Sequence, residues 1–201
     1  MHSKVVLLTN NSDVSNRLMV WLSNHEDVLT YSQRIDCDFV RAQDPDIIIS
    51  YSYKYIISED VLNICKRPIL NLHCSLLPWN KGSDPNFWSF FEDTPKGVTI
   101  HNINAGVDEG DILLQKELTF KSTEETFRSS YDKLHDAMFE LFTSNWNELK
   151  IGSIKAMPQI GNGSYHTKKD YTSITSTLPV DYDSLISDYL SEYSKIKRGE
   201  Q

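Results

Sequence analysis

Glycine is scarce at the start of this chain: of eight in the 201 residues, the first is Gly82. Glycine lets backbone close on a pyrophosphate at the first strand–helix turn of a dinucleotide site, and here that turn reads TNNSDVSN. The deficit speaks against a nicotinamide or flavin dehydrogenase of the usual kind, and against a P-loop. A G-x-S-x-G elbow is missing as well, since Ser75 lies in HCSLL. Cysteine is sparse. Cys37, Cys65 and Cys74 are odd in number and lack C-x-x-C spacing, so a reduced, cytoplasmic protein is expected rather than a disulfide framework. Long apolar runs are lacking too. The N-terminus offers only four apolar residues in succession, Val5 to Leu8, too few for a signal-peptide core, and nothing approaches the ~18 of a membrane span. Positive charge is short, with 20 Lys and Arg against 28 Asp and Glu and a net charge of −8. Nucleic acid is therefore not the expected partner, because phosphate binding draws on clustered Lys and Arg. The pair Lys168 and Lys169 reads as part of a solvated loop.

What is present suits one domain, or one domain with a small appendage. Apolar residues at 39% allow a sizeable core, and four Trp with ten Tyr supply flat stacking surfaces. KVVLL (residues 4–8) reads as a buried strand, with Asp13 capping a helix whose apolar positions are Val14, Leu18, Trp21 and Leu22. DIIIS (residues 46–50) is a second strand, followed by a helix near residues 59–65, and PILNLH (residues 68–73) is a third. Strands separated by helices imply a parallel sheet with helices on both faces and ligands at the carboxyl ends of its strands. Asn10 and Asn11, residues 51–55 and residues 71–75 are expected along that rim. Beyond Gly82, GVTIHNI and DILLQKEL read as two strands joined by NAGVDEG. Ser122 and Glu125 form a capping box before a long helix carrying Phe127, Tyr131, Leu134, Met138, Leu141, Trp146 and Leu149. Residues 158–179 are polar and irregular. A last amphipathic helix presents Tyr182, Leu185, Ile186, Tyr189, Tyr193 and Ile196 to the domain or to a second copy of the chain.

Asn71, His73 and Asp108 are the candidates for the chemistry. Asn71 and His73 stand two apart on a strand, so their side chains share a face. A carboxamide offers two N–H donors and a protonated imidazole another, and donors converging on one point suit an oxyanion. The pattern predicts a carbonyl carbon attacked by a nucleophile that the substrate brings. Asp108 can orient His73, favour its charged form, or take a proton from the attacking group. Each residue also has an ordinary reading, the Asn as a turn residue and the His as a packed imidazole. His101 is a supporting residue behind the site or a packed ring. Cys74 is expected to be a small buried thiol pointing to the opposite face from His73. His73, Cys74, His101 and Asp108 lack zinc-site spacing, so no metal is expected. The residues by themselves lead as far as acyl-type transfer to a nucleophile.

NLHCSLLPWNKG followed by GVTIHNINAGVDEGDIL resembles the folate-dependent formyltransferase family, whose pattern is N-x-H-x-S-L-L-P, a nearby glycine, then G-V-T-x-H with D-x-G-x-I seven residues beyond that His. Asn71, His73, Ser75 to Pro78 and Gly82 fit the first half; Gly97 to Thr99, His101, Asp108, Gly110 and Ile112 fit the second. A looser similarity runs over residues 4–149. The resemblance implies a Rossmann-like α/β fold with a mostly parallel sheet, a catalytic domain over residues 1–150, and a C-terminal extension of loop plus helix over residues 151–201. It implies that Asn71, His73 and Asp108 are catalytic, moving a formyl group from N10-formyltetrahydrofolate to a primary amine without a metal. Folate would lie against Tyr53, Lys54, Tyr55 and Ile56 on one side and Asn104, Ala105, Gly106 and Val107 on the other. His101 and Ser75 would support the site from behind.

The acceptor follows from departures within the family. The glycinamide ribonucleotide enzymes have a glycine-rich first turn that TNNSDVSN lacks. The methionyl-tRNA enzymes carry a C-terminal barrel and a basic face, for which an acidic chain with about fifty residues after Leu149 leaves no room. The sugar branch remains, and PWNKGSDPNFWSFFEDTPKGVTIH and GSYHTKKD look like it. The expected acceptor is a nucleotide-linked amino-deoxy sugar, such as a dTDP-4-amino-4,6-dideoxyhexose for surface polysaccharide. Asn10, Asn11, Trp79, Asn80, Lys81, Gly82, Asp84, Phe87 and Trp88 are the expected contacts, the aromatic rings packing on sugar or base. A homodimer is the expected assembly. Another small amine as acceptor, or a silent folate- or nucleotide-binding module, are the alternatives.

Overall fold

The computed structural model describes residues 2–199. Its elements in chain order are β1 (Lys4–Leu8), α1 (Ser12–Ser23), β2 (Asp27–Tyr31), α2 (Cys37–Gln43), β3 (Ile47–Tyr51), α3 (Glu59–Ile64), β4 (Leu70–His73), β5 (Lys81–Gly82), α4 (Pro85–Phe91), β6 (Lys96–Asn102), β7 (Ile112–Leu118), α5 (Phe127–Ser144), α6 (Trp146–Ile151), β8 (Tyr165–His166), α7 (Lys168–Thr175) and α8 (Ile186–Arg198). Six strands form a mixed sheet in the order β2-β1-β3-β4-β6-β7, and β5 pairs with β8 in a separate ribbon. The pairs β1–β2, β1–β3 and β3–β4 are parallel, and β4–β6 is antiparallel. Together with its helices this is an α/β fold with a mixed sheet and a C-terminal helix.

The central strands are continuous apolar runs because the sheet is buried on both faces. Val6, Leu8 and Ile48 pack with Val40 of α2, Val61 of α3 and Ile69. Side chains alternate along a strand, so Val5, Leu7 and Ile49 point to the other face, and each is 0% exposed. β2 and α2 are among the elements that escaped the sequence reading. β2 is an edge strand with a mostly half-exposed pattern, and α2 has only seven residues, started by the Asp36 carboxylate accepting from the Phe39 amide. Their alternation and periodicity are correspondingly weak.

Helix starts differ from expectation where a neighbouring residue has the better geometry. Asn11, not Asp13, caps α1: its extended backbone lets the side chain accept from the Val14 N–H, and Asp13 falls inside the first turn. Before α5, Thr126 and Ser129 cap reciprocally at 2.9 and 3.0 Å, replacing the expected Ser122 and Glu125 box. Glu125 instead accepts from the Ser129 hydroxyl and pairs with Lys133. The long helix stops at Asn145, whose side chain donates to the Leu141 carbonyl, and Trp146 begins α6. The region expected to be irregular contains α7, which buries no residue. A capping box between Thr167 and Asp170 starts it, and its Tyr171 and Ile174 pack, partly buried, against aromatic core residues.

Two compact units divide the chain: residues 1–73, 99–114 and 139–159 form one, and residues 74–98, 115–138 and 160–201 the other. In the first, Glu26 is a buried carboxylate taking hydrogen bonds from the Ser3 N–H, the Trp146 indole and Lys150 at 2.6, 3.0 and 2.6 Å. The second has an aromatic core of Phe87, Trp88, Phe90, Phe127, Ile186 and Tyr189. Of the residues expected on the inner side of α8, Ile186 and Tyr189 are buried, while Ile196 is 41% exposed.

Candidate active site

Strand pairing brings the first two functional residues together. In the antiparallel β4–β6 register, Asn71 lies opposite His101 and His73 opposite Thr99. Cross-strand partners share a face, so Asn71, His73 and His101 project to one side while Leu70 and Leu72 fill the other at 6% and 4% exposure. Because β6 runs against β4, it leaves the sheet at the amino end of β4, opposite Leu70. The turn carrying Asp108 therefore folds back over the sheet face instead of continuing the carboxyl rim. The sequence reading expected a mostly parallel sheet without singling out β6 as the antiparallel strand.

The resulting cluster is tight. The Asn71 amide nitrogen donates to Asp108 Oδ1 at 3.0 Å and stands 3.0 Å from His101 Nε2. His101 Nδ1 is 2.8 Å from the Asn102 carbonyl, which has no proton to give. The proton of a neutral His101 ring therefore sits on Nδ1, leaving Nε2 to accept from Asn71. The His101 ring is 1% exposed, so it fixes the plane of the Asn71 carboxamide. His73 Nδ1 lies 3.6 Å from Asp108 Oδ2. That is long for a direct hydrogen bond, but close enough for Asp108 to be the counter-ion when His73 carries a proton. The two side chains are 9% and 13% exposed, so this charge pairing takes place largely out of water.

The turn is built for this position. Asp108 has a φ of 52°, in the left-handed region. Gly110 has no room for a side chain, since a Cβ there would sit 1.7 Å from the Asn102 carbonyl oxygen. Gln159, which the sequence reading passed over, donates to the carbonyls of Asp108 and Gly110 at 2.7 and 3.0 Å. Its location in a polar stretch after Pro158 carries no signal of that role.

The other expected site residues divide. Around the folate segments, the Tyr53 hydroxyl donates to the Gln33 carbonyl at 2.5 Å and accepts from the Ile35 N–H at 2.9 Å. The Tyr55 ring has Arg34 at 5.2 Å and Lys54 at 5.0 Å, and Ile56 is 70% exposed. Asn104 accepts from the Gly106 N–H at 3.1 Å, an Asx turn opening the loop. Chain order reverses at β1, whose two neighbours are β2 and β3, and such a switch point leaves a crevice at the carboxyl ends. Asn10 ties that end together: its side chain donates to the Ser32 carbonyl and accepts from the Lys54 N–H. Beside it, Thr9 to Ser12, Ser15 and Tyr31 help line a cavity of about 450 Å³.

Three expected acceptor contacts are corrected. Asn80 is 0% exposed, with its amide spent on Thr94 and Ser164 at 2.8 and 3.1 Å. Phe87 and Trp88 are core residues, each 5% exposed. Trp88 stacks on His166 with ring centres 3.9 Å apart, and His166 is held by Glu92 at 3.1 Å. Buried faces of this kind offer no surface to a sugar or base. Gly82 takes φ 86° to bring β5 against the His166 carbonyl. Trp79 and Lys81 are half-buried, and Asp84 pairs with Lys168 at 3.1 Å. Cys74 keeps some exposure as a residue, yet desolvation pushes its thiol up to about 12. His135, 3.5 Å from the sulfur, is driven down to about 4 by burial. Both are neutral at pH 7, so the pair provides no thiolate nucleophile.

Asn71, His73 and Asp108 thus bring a carboxamide, an imidazole and a carboxylate together on one face of an α/β sheet. The chain matches the formyl transferase family over residues 22–145 and belongs to that folate-dependent family, close to its nucleotide-sugar members. It is 38% identical to the formyltransferase PseJ from Anoxybacillus kamchatkensis, whose crystal structure is a complex with UDP-4,6-dideoxy-4-formamido-L-AltNAc and tetrahydrofolate; the match covers 92% of this chain and 96% of that one with a TM-score of 0.81. A 4-N formyltransferase from Francisella tularensis shares the fold at 22% identity, over 90% of this chain and 82% of that one, with a TM-score of 0.75. Methionyl-tRNA formyltransferase of Ehrlichia ruminantium is 38% identical over 115 residues, 56% of this chain and 38% of that protein. The chain thus spans about two fifths of the length of such curated relatives.

Proposed function

We propose that the chain is an N-formyltransferase that moves the formyl group of N10-formyltetrahydrofolate to the primary amine of a nucleotide-linked amino-deoxy sugar. The observation that carries the transfer chemistry is the meeting of Asn71, His73 and Asp108, with an N–H···O bond of 3.0 Å and an ion-pair distance of 3.6 Å. The likeness to PseJ over 96% of that chain supports a sugar acceptor, and the match to methionyl-tRNA enzymes over 38% of their length supports it less.

In this reading the amine nitrogen attacks the formyl carbon, and the oxygen that becomes negative is met by an Asn71 N–H and the His73 imidazolium. Asp108 balances the imidazolium and, once the new C–N bond has formed, accepts a proton from the nitrogen that has become cationic. The carbon–N10 bond then breaks as N10 takes up that proton, and tetrahydrofolate leaves. Asn71 has both N–H groups engaged by Asp108 and His101, so one must be exchanged for the oxyanion. The Asp108 bond is the one assigned to yield, because Asp108 turns toward His73 as charge develops. Holding both substrates in register contributes a further ~7–11 kcal/mol to such reactions. Folate is assigned to residues 53–57 and 104–108, and the acceptor to the side of Trp79, Lys81 and Asp84. Catalysis belongs to residues 1–150, and packing or self-association to residues 151–201.

The test is direct. Purified protein is given N10-formyltetrahydrofolate with UDP-, dTDP- and GDP-linked amino sugars, glycinamide ribonucleotide or initiator methionyl-tRNA, and released tetrahydrofolate is measured. Turnover confined to a nucleotide sugar is expected; turnover with tRNA alone overturns the acceptor, and none with any amine overturns the transfer.

A further inference from the structure

We propose that Gln159 is a positioning residue that holds the Asp108 turn in register with Asn71 and His73, an inference that rests on the formyl-transfer reading. Asp108 adopts a left-handed backbone that a non-glycine residue keeps only when its surroundings hold it there. Gln159 grips both ends of the short bend, Nε2 donating to the Asp108 carbonyl at 2.7 Å and to the Gly110 carbonyl at 3.0 Å. The amide has one usable orientation: turned over, Oε1 would face two carbonyl oxygens.

The grip is itself anchored. Met157 and Ile112 exchange backbone hydrogen bonds of 2.8 Å in both directions, which fixes the approach of residue 159. On the other flank, the Asn102 N–H donates to the Asp111 carbonyl at 3.0 Å. The carboxylate that reaches Asn71 and stands 3.6 Å from His73 is therefore held from a segment 51 residues further along the chain. Gln159 Oε1 is buried with no hydrogen-bond partner among the described residues. A side chain kept only for packing would gain from an apolar replacement at such a place, since an orphaned acceptor costs stability. The carboxamide is thus retained for its donors.

Gln159→Leu preserves size and removes the donors, Gln159→Glu sets a carboxylate against two carbonyls, and Gln159→Lys restores a donor. Each is compared with wild type for kcat, for KM of the acceptor, and for the Cε1–H resonance of His73. Expected are a fall in kcat of at least tenfold for Gln159→Leu and a larger one for Gln159→Glu, an acceptor KM within twofold, a displaced His73 resonance, and partial recovery in Gln159→Lys. Wild-type kcat with an unmoved His73 resonance in folded Gln159→Leu overturns the proposal, as does a rate loss explained by the unfolded fraction. If Gln159→Leu does not fold, Gln159→Met is read in the same way. If wild type formylates no amine, the functional reading falls by itself, and the resonance comparison still decides whether Gln159 places Asp108 against His73.

Discussion

At the scale of single residues, the site is a question of where N–H donors point. Asn71 is held by His101 behind, which orients its carboxamide before any substrate arrives, while the bond to Asp108 in front is the one exchanged in the proposed reaction. Replacing Asn71 with Ala removes that donor and leaves the fold intact, since the residue is only half-buried. The expected loss is ~10²–10³-fold in kcat with little change in Tm, measured by tetrahydrofolate release and thermal melting. A variant with wild-type turnover would remove the oxyanion assignment. Cys74 provides the contrasting case. It follows His73 directly, yet its thiol is pushed up to about 12 and no thiolate forms near neutrality. Iodoacetamide at pH 8 is therefore expected to leave Cys74 unlabelled and activity unchanged, whereas an ordinary exposed thiol titrates near ~8.5 and reacts. Inactivation that tracks labelling of Cys74 would contradict this.

At the scale of elements, the sequence and the structure part company where pairing direction matters. The buried strands were legible because short, continuous, β-branched apolar runs such as KVVLL and DIIIS suit a strand covered on both faces. That Asn71 and His73 share a face was legible from their strand spacing, and their meeting with Asp108 was expected because the surrounding motif text is specific. The antiparallel β6 was not, since GVTIHNI has the same composition in either direction. Burial of Phe87, Trp88 and Asn80 was hidden for a related reason: aromatic rings beside polar residues read equally as a binding surface or as core, and long-range packing with Phe127 and Ile186 decides. Glu26 is another residue whose role appears only in three dimensions. Burial alone raises its carboxyl, but hydrogen bonds from Lys150, the Ser3 N–H and Trp146 outweigh that and hold it below its ordinary value of 4.5. A carboxylate lowered in the folded state contributes stability above its unfolded value, and the contribution is lost as pH falls through the folded one. Wild type should therefore lose Tm below about pH 4.5 more steeply than Glu26→Gln does. At pH 7 Glu26→Ala should be destabilised by about 3 kcal/mol, because Lys150 and the indole lose their acceptor. Equal acid sensitivity of Glu26→Gln and wild type would show that Glu26 does not carry this linkage.

At the scale of the whole molecule, net charge bears on the acceptor question that the site geometry leaves to experiment. A nucleotide-linked amino sugar and a charged tRNA would both present a primary amine, so the triad does not distinguish them. The two differ greatly in phosphate count, and the chain carries 20 basic against 28 acidic side chains. A polyanion bound through several phosphates releases several counterions, and its observed affinity falls as a high power of salt concentration, by ~10³–10⁵ between 50 and 200 mM for 6–10 phosphate contacts. A nucleotide diphosphate sugar has two phosphates, and its binding should weaken by less than about tenfold over the same range. Measured with the best acceptor, kcat/KM is thus expected to change only modestly between 50 and 200 mM KCl, with kcat itself nearly constant, because the reacting groups are largely shielded from water at 9% and 13% exposure. A steep loss confined to KM would instead indicate a polyanionic acceptor held over an extended surface. That result would move the assignment to tRNA while leaving Asn71, His73 and Asp108 in the same chemical roles.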